Sequence, residues 1–91
     1  MRDAYTLYYT HAYTCNIIIN NNISTNNSFS YGIRLGSYNN LISNNQIYTS
    51  GSLGHGISFY GGSNNTLIND TIISLGGQGI RIEMTTNNNS F

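Results

Sequence analysis

The apolar residues of this chain fall two apart within short phrases, and the phrases return about every two dozen positions. Gly32-Ile33-Arg34-Leu35 reappears as Gly56-Ile57-Ser58-Phe59 and again as Gly79-Ile80-Arg81-Ile82, at spacings of 24 and 23. A second phrase runs in step with it. Cys15 to Ile23, Asn39 to Ile47 and Asn64 to Ile72 each set apolar residues among asparagines, and a fourth copy opens at Asn87 and runs to Phe91. Within a phrase, Ile33 and Leu35, or Ile57 and Phe59, alternate with polar residues, which is the period of a strand and not the 3.6 of a helix. β-Branched isoleucine dominates these positions and the strong helix formers are scarce, so no long helix is predicted.

Aligning the repeats produces vertical columns. Ile18, Ile42 and Leu67 form one, Ile23, Ile47 and Ile72 a second, Ile33, Ile57 and Ile80 a third, and Leu35, Phe59 and Ile82 a fourth. A looser fifth column, Phe29, Leu53 and Leu75, is expected to join the same interior. Each repeat matches the next in the same direction, so equivalent strands stack in parallel about 4.8 Å apart. Hairpins are disfavoured, because the chain has many Asn and Gly residues yet no Asn-Gly or Asp-Gly pair. Length varies only in the turns: Ile23 to Gly32 and Ile47 to Gly56 are 9 apart, and Ile72 to Gly79 is 7. The fold predicted is an all-β parallel solenoid of three to four coils, 23–25 residues each.

Residues 1–91 read as one solenoid segment, regular over 15–91 and degenerate over 1–14, where the glycine of the repeat is missing. In that first rung Leu7 and Tyr9 are the best inward pair, and Tyr5, Tyr8, Tyr9 and Tyr13 are expected to shield the open end of the core. The last phrase breaks off at Phe91 without a polar cap. The chain is therefore expected to be part of a longer solenoid, stacked on further coils, or to close its open ends by self-association.

The asparagines form columns of their own: Asn16, Asn40, Asn65 and Asn88 in one, Asn20, Asn44 and Asn69 in another. An Asn at a bend can bond the amide of its neighbour and the backbone of the turn, satisfying groups that an inward turn would strand. These columns are read as structural. Composition changes the picture mainly by exclusion. Charged residues make up 7%, there is no Lys, and the formal net charge is zero, so nucleic acid and anionic membrane surfaces are not expected partners. The longest apolar run, Ile17 to Ile19, cannot span a bilayer, and the single Cys15 cannot form an internal disulfide. Abundant Asn and Tyr also suit disordered segments, but the register of the apolar columns argues for a packed core.

The alternation of N-N-x-I-x-N-N-x-I with G-I-x-L resembles the right-handed parallel β-helix repeats of the pectate-lyase-like superfamily, most closely the NosD-type, carbohydrate-binding and sugar-hydrolysis repeats. The resemblance covers Cys15 to Phe91 and implies three-sided coils in secreted, periplasmic or cell-surface proteins that bind or act on polysaccharides. NosD-type members are associated with copper delivery. Leucine-rich repeats share the period, but their Leu-x-Leu core is missing here. Calcium-binding rolls need an Asp where Gly76-Gly77-Gln78-Gly79-Ile80-Arg81 ends on Arg.

The chemistry available is sparse. The acids are Asp3, Asp70 and Glu83, too few and too scattered for the paired carboxylates of a hydrolase or the calcium site of a lyase, so no catalytic residue is assigned. If the parent protein is a polysaccharide lyase, hydrolase or epimerase, its acids lie elsewhere. Arg34 and Arg81 occupy the outward middle position of their phrases with Ser58 between them, which places them two rungs, roughly 10 Å, apart. Two guanidiniums on one flat face suit bidentate contacts to the carboxylates of an acidic polysaccharide, and Tyr60, in the column of Gly36 and Glu83, offers a ring for a sugar face. The bland alternative is a solubilising strip in which Arg81 pairs with Glu83. The candidate carbohydrate-binding residues are thus Arg34, Ser58, Arg81, Tyr60 and Glu83. His11, Cys15, His55, Met1 and Met84 are soft donors, but no ligand spacing recurs, so no metal or cofactor is assigned. His55, aligned with Tyr31 and Gln78, reads as a variable loop position.

Overall fold

The structure, a computed structural model, describes residues 5–8, 16–82 and 89–91. The described strands are β1 (Tyr5–Tyr8), β2 (Ile17–Ile19), β3 (Asn22–Thr25), β4 (Ile33–Gly36), β5 (Leu41–Ser43), β6 (Gln46–Thr49), β7 (Ile57–Phe59), β8 (Thr66–Ile68), β9 (Thr71–Ser74) and β10 (Ile80–Ile82). Every third strand joins the same sheet. Sheet A runs β1-β4-β7-β10, sheet B β2-β5-β8 and sheet C β3-β6-β9, and every pairing is parallel. No described residue is helical. The chain is an all-β solenoid whose successive coils each add one strand to each of three faces.

Register follows the apolar columns. Ile18 pairs with Ile42 and Ile42 with Leu67 in sheet B; Ile23 with Ile47 and Ile47 with Ile72 in sheet C; Ile33 with Ile57 and Leu35 with Phe59 in sheet A, continuing to Ile80 and Ile82. The members of these columns from Ile18 to Leu67 form the core, with Ile72 packed against it and Ile33, Leu35, Ile42, Ile57 and Phe59 wholly enclosed; Ile80 and Ile82, expected in the same interior, are 36% and 54% exposed. A one-residue slip in any strand would turn its inward set to solvent, so the pattern specifies the register. The glycines that open the first two Gly-Ile phrases of sheet A, Gly32 and Gly56, have a steric cause. A Cβ on Gly32 would lie 2.5 Å from Ile47 Cγ2 and 2.7 Å from the carbonyl oxygen of Gly56 one coil below, and one on Gly56 would lie 2.6 Å from that of Gly79. The backbones approach too closely there for any side chain.

Polar corners are closed by two side-chain ladders. Asn16 N–H donates to Asn40 Oδ1 (3.0 Å), Asn40 N–H to Asn65 Oδ1 (3.0 Å) and Asn65 N–H to Asn89 Oδ1 (2.9 Å). The first column therefore ends on Asn89 and not on Asn88, which lies outside the described residues. The run Asn87-Asn88-Asn89 offers three alignments by type alone, and the pairing of Ser90 with Thr66 selects one. In the second ladder Asn21 N–H donates to Asn45 Oδ1 and Asn45 N–H to Asp70 Oδ1, both at 2.9 Å. That ladder is one residue beyond Asn20, Asn44 and Asn69, which are exposed and adopt positive φ (61°, 57° and 55°). Those three serve the bend by their backbone conformation, which Asn tolerates better than other side chains, and their side chains point to solvent.

Two further expectations are corrected. In the first rung it is Tyr5 and Leu7 that pair with Ile33 and Leu35; Tyr9 and Tyr13 lie outside the described residues. A shift of two preserves the inward and outward alternation, so periodicity alone does not distinguish the pairs. The fifth apolar column does not enter the core. Phe29 and Leu53 are about half exposed (45% and 46%) and sit at positive φ (59° and 55°), which swings their side chains off the coil. Leu75 is not in their column: Leu53 N–H bonds the carbonyl of Gly76, whereas Leu75 N–H bonds that of Thr49, so Leu75 stacks beside Ser50.

Candidate functional site

The outer face of sheet A carries the densest chemistry among the described residues. Arg34, Ser58 and Arg81 are register partners in β4, β7 and β10, so their side chains form one outward row. Arg34 is half-buried because aromatic rings flank it: its Cζ lies 5.2 Å from the Tyr31 ring centroid and 5.1 Å from that of Tyr60. Both distances suit cation–π attraction, and the rings restrict where the guanidinium can go. Ser58 has no exposed surface, so it is the floor of the strip and not a contact for a ligand. Tyr60 is 43% exposed, with one part of its ring against Arg34 and the rest available. Glu83 lies outside the described residues.

Sequence reasoning missed the residues that brace this row. His55 is buried and stacks on Tyr31, with ring centroids 5.3 Å apart and planes inclined by 24°. Its Nδ1 accepts the Gln78 N–H at 2.8 Å, so the neutral imidazole carries its proton on Nε2. Arg81 Nη1 lies 3.3 Å from that Nε2, and two N–H groups therefore converge at the lower end of the strip. His55 lies between strands, as read from the sequence, but its ring is buried. Tyr31, His55 and Gln78 form a column immediately before the repeat glycine, with Gly32 N–H on the His55 carbonyl and Gly56 N–H on that of Gln78.

Among the described residues this face gathers cations and rings and no carboxylate. Asp70, the acid among the described residues, sits on another corner with Oδ1 committed to Asn45 through the main-chain N–H (2.9 Å) and Nδ2 (3.0 Å). No three or more His, Cys, Asp or Glu side chains gather as a metal site among the described residues. What the strip offers is donors and rings: two guanidiniums two rungs apart and an exposed phenol face.

Comparison with known proteins agrees with the architecture. The family model described as "Right handed beta helix region" matches residues 4–91. A search of the curated proteins returns no match, and a search of the solved structures returns none. The family match spans nearly the whole chain, and its description is the coil that the ten strands build: the chain belongs to the right-handed β-helix family.

Proposed function

We propose that this β-helix is a carbohydrate-binding scaffold module of a secreted or cell-surface protein, with no catalytic site of its own, and that sheet A grips an acidic polysaccharide. The observation that carries this reading is the placement of Arg34 between the Tyr31 and Tyr60 rings, in a row with Arg81. A guanidinium already held by rings loses less freedom on binding than a mobile one, and Arg presents a planar fork that fits carboxylates bidentately. The rungs set the two arginines roughly 10 Å apart, within reach of successive acidic residues of an extended polymer.

The test is calorimetric titration with oligogalacturonate, comparing the native chain with the double variant Arg34→Ala and Arg81→Ala. A tenfold or greater weakening, with the circular dichroism unchanged, supports the reading. Equal affinity of the two proteins, or no heat of binding for the native chain, rejects it.

A further inference from the structure

We propose that His55 makes the joint between the coils of β7 and β10 acid-sensitive: a proton taken up by its ring breaks the bond to Gln78 and releases the brace beside Arg34 and Arg81. The ring is enclosed between coils. His55 is 3% exposed, it stacks on Tyr31 of the coil above with centroids 5.3 Å apart, and it rests on the backbone of the coil below. A Cβ on Gly77 would lie 2.7 Å from His55 Nδ1 and 2.8 Å from the carbonyl oxygen of Gly54, so glycine at 77 leaves the room that the imidazole fills. Both main-chain groups of Gln78 are tied to the His55 coil: its N–H donates to Nδ1 at 2.8 Å, and its carbonyl accepts the Gly56 N–H at 2.9 Å. The His55 carbonyl in turn accepts the Gly32 N–H at 3.1 Å. One residue thus joins three successive coils.

The neutral ring fits this place and the imidazolium does not. With Nδ1 used as an acceptor, a second proton can go only to Nδ1, where it meets the Gln78 N–H head on. Among the described residues, the charged groups that face the ring are both cations. Arg81 of β10 sets Nη1 3.3 Å from Nε2, and Arg34 of β4 sets Cζ 5.2 Å from the centroid of the Tyr31 ring on which His55 stacks. Burial disfavours the charged form further. The unfolded chain binds this proton near pH 6.5 and the fold resists it, so below that pH the unfolded state carries more protons. The contribution of His55 is therefore complete above about pH 6.5 and is lost as the pH falls. Opening at this corner takes the stack away from Tyr31, whose ring flanks Arg34, so acid loosens the outward row of sheet A. The device does not depend on what that row binds.

Hydrogen exchange at the Gln78 amide, followed with the thermal midpoint from about pH 7.5 to about pH 5 in the native chain and in His55→Gln, tests this. Glutamine keeps a planar side chain and a carbonyl acceptor but cannot titrate. In the native chain the Gln78 protection factor should fall about tenfold over that range and the midpoint by about 5 °C, while both stay level in the variant. The imidazole carbon resonances of the native chain read the same point without a substitution: His55 should remain a neutral ring down to about pH 5.5, about one unit below an unconstrained histidine. Titration of His55 at or above about pH 6.5, a midpoint that holds or rises on acidification, or equal acid sensitivity in His55→Gln overturns the proposal.

Discussion

Asparagine does two separate jobs in this chain, and the backbone decides which. At Asn20, Asn39, Asn44, Asn64 and Asn69 it occupies the left-handed region, where an ordinary L-residue costs about 1–2 kcal/mol. Asn44→Ala should therefore destabilise the protein by about 1 kcal/mol in urea denaturation, while Asn44→Gly stays within about 0.5 kcal/mol of the native value. At Asn40, Asn45 and Asn65 the side chain is buried and serves as both acceptor and donor. The Asn45 Nδ2 donates to the carbonyl of Ile18 (3.0 Å) and the Asn65 Nδ2 to that of Ser37 (3.2 Å). Asp70 takes the next place in the ladder of Asn45, but its Oδ2 is buried without a hydrogen-bond partner and has no proton-bearing nitrogen to offer. Asp70→Asn is expected to stabilise by about 1 kcal/mol at neutral pH, because a buried acceptor lacking a donor becomes a donor facing the coil above. An unchanged or lower urea midpoint for that variant would show that the carboxylate is satisfied in another way.

At the scale of the strand and turn, the repeat glycine controls how closely coils pack. Gly56→Ala forces a methyl against the Gly79 carbonyl at 2.6 Å and should cost several times as much stability as Gly79→Ala, where the new methyl finds ordinary contact. Comparing the two unfolding midpoints separates a requirement of the coil from a mere preference of the repeat. The same elements show what could be read from the chain and what could not. Ile33 with Leu35 and Ile57 with Phe59 were legible because strand period and coil period both mark them, and the burial of either pair needs no knowledge of the turns. Phe29 and Leu53 were not legible: they look like core residues, and only their positive φ, which Asn signals at other corners, turns them outward. The arginine row was legible from the outward middle position of each phrase. Its braces, Tyr31 and His55, were not, because they precede the glycine in a segment whose path over the strip depends on the turn.

On the scale of the whole molecule, a solenoid touches only neighbouring coils, so its stability is close to a sum of coil and interface contributions. A deletion in the middle of the stack should then weaken everything, and one at the end only the end. Ile57→Ala, at a fully buried position between two coils, is expected to cost about 3–4 kcal/mol. Ile82→Ala, already half in solvent, should cost under about 1 kcal/mol. The stacking also sets outward side chains in rows along each face. One outward position per coil becomes a row, and in sheet A that row holds the arginines and their rings, whereas the outward positions of sheet B are largely aliphatic, with Ile17, Ile19 and Ile68 exposed. An amide-resonance titration of the labelled chain with oligogalacturonate tests the proposed binding by sheet A. Shifts are expected to concentrate at Tyr31, Arg34, Tyr60 and Arg81, with sheets B and C unmoved. Shifts centred on Ile17, Leu41 and Ile68 of sheet B or on Tyr48 and Ile73 of sheet C, or no shift at saturating oligosaccharide, would contradict it.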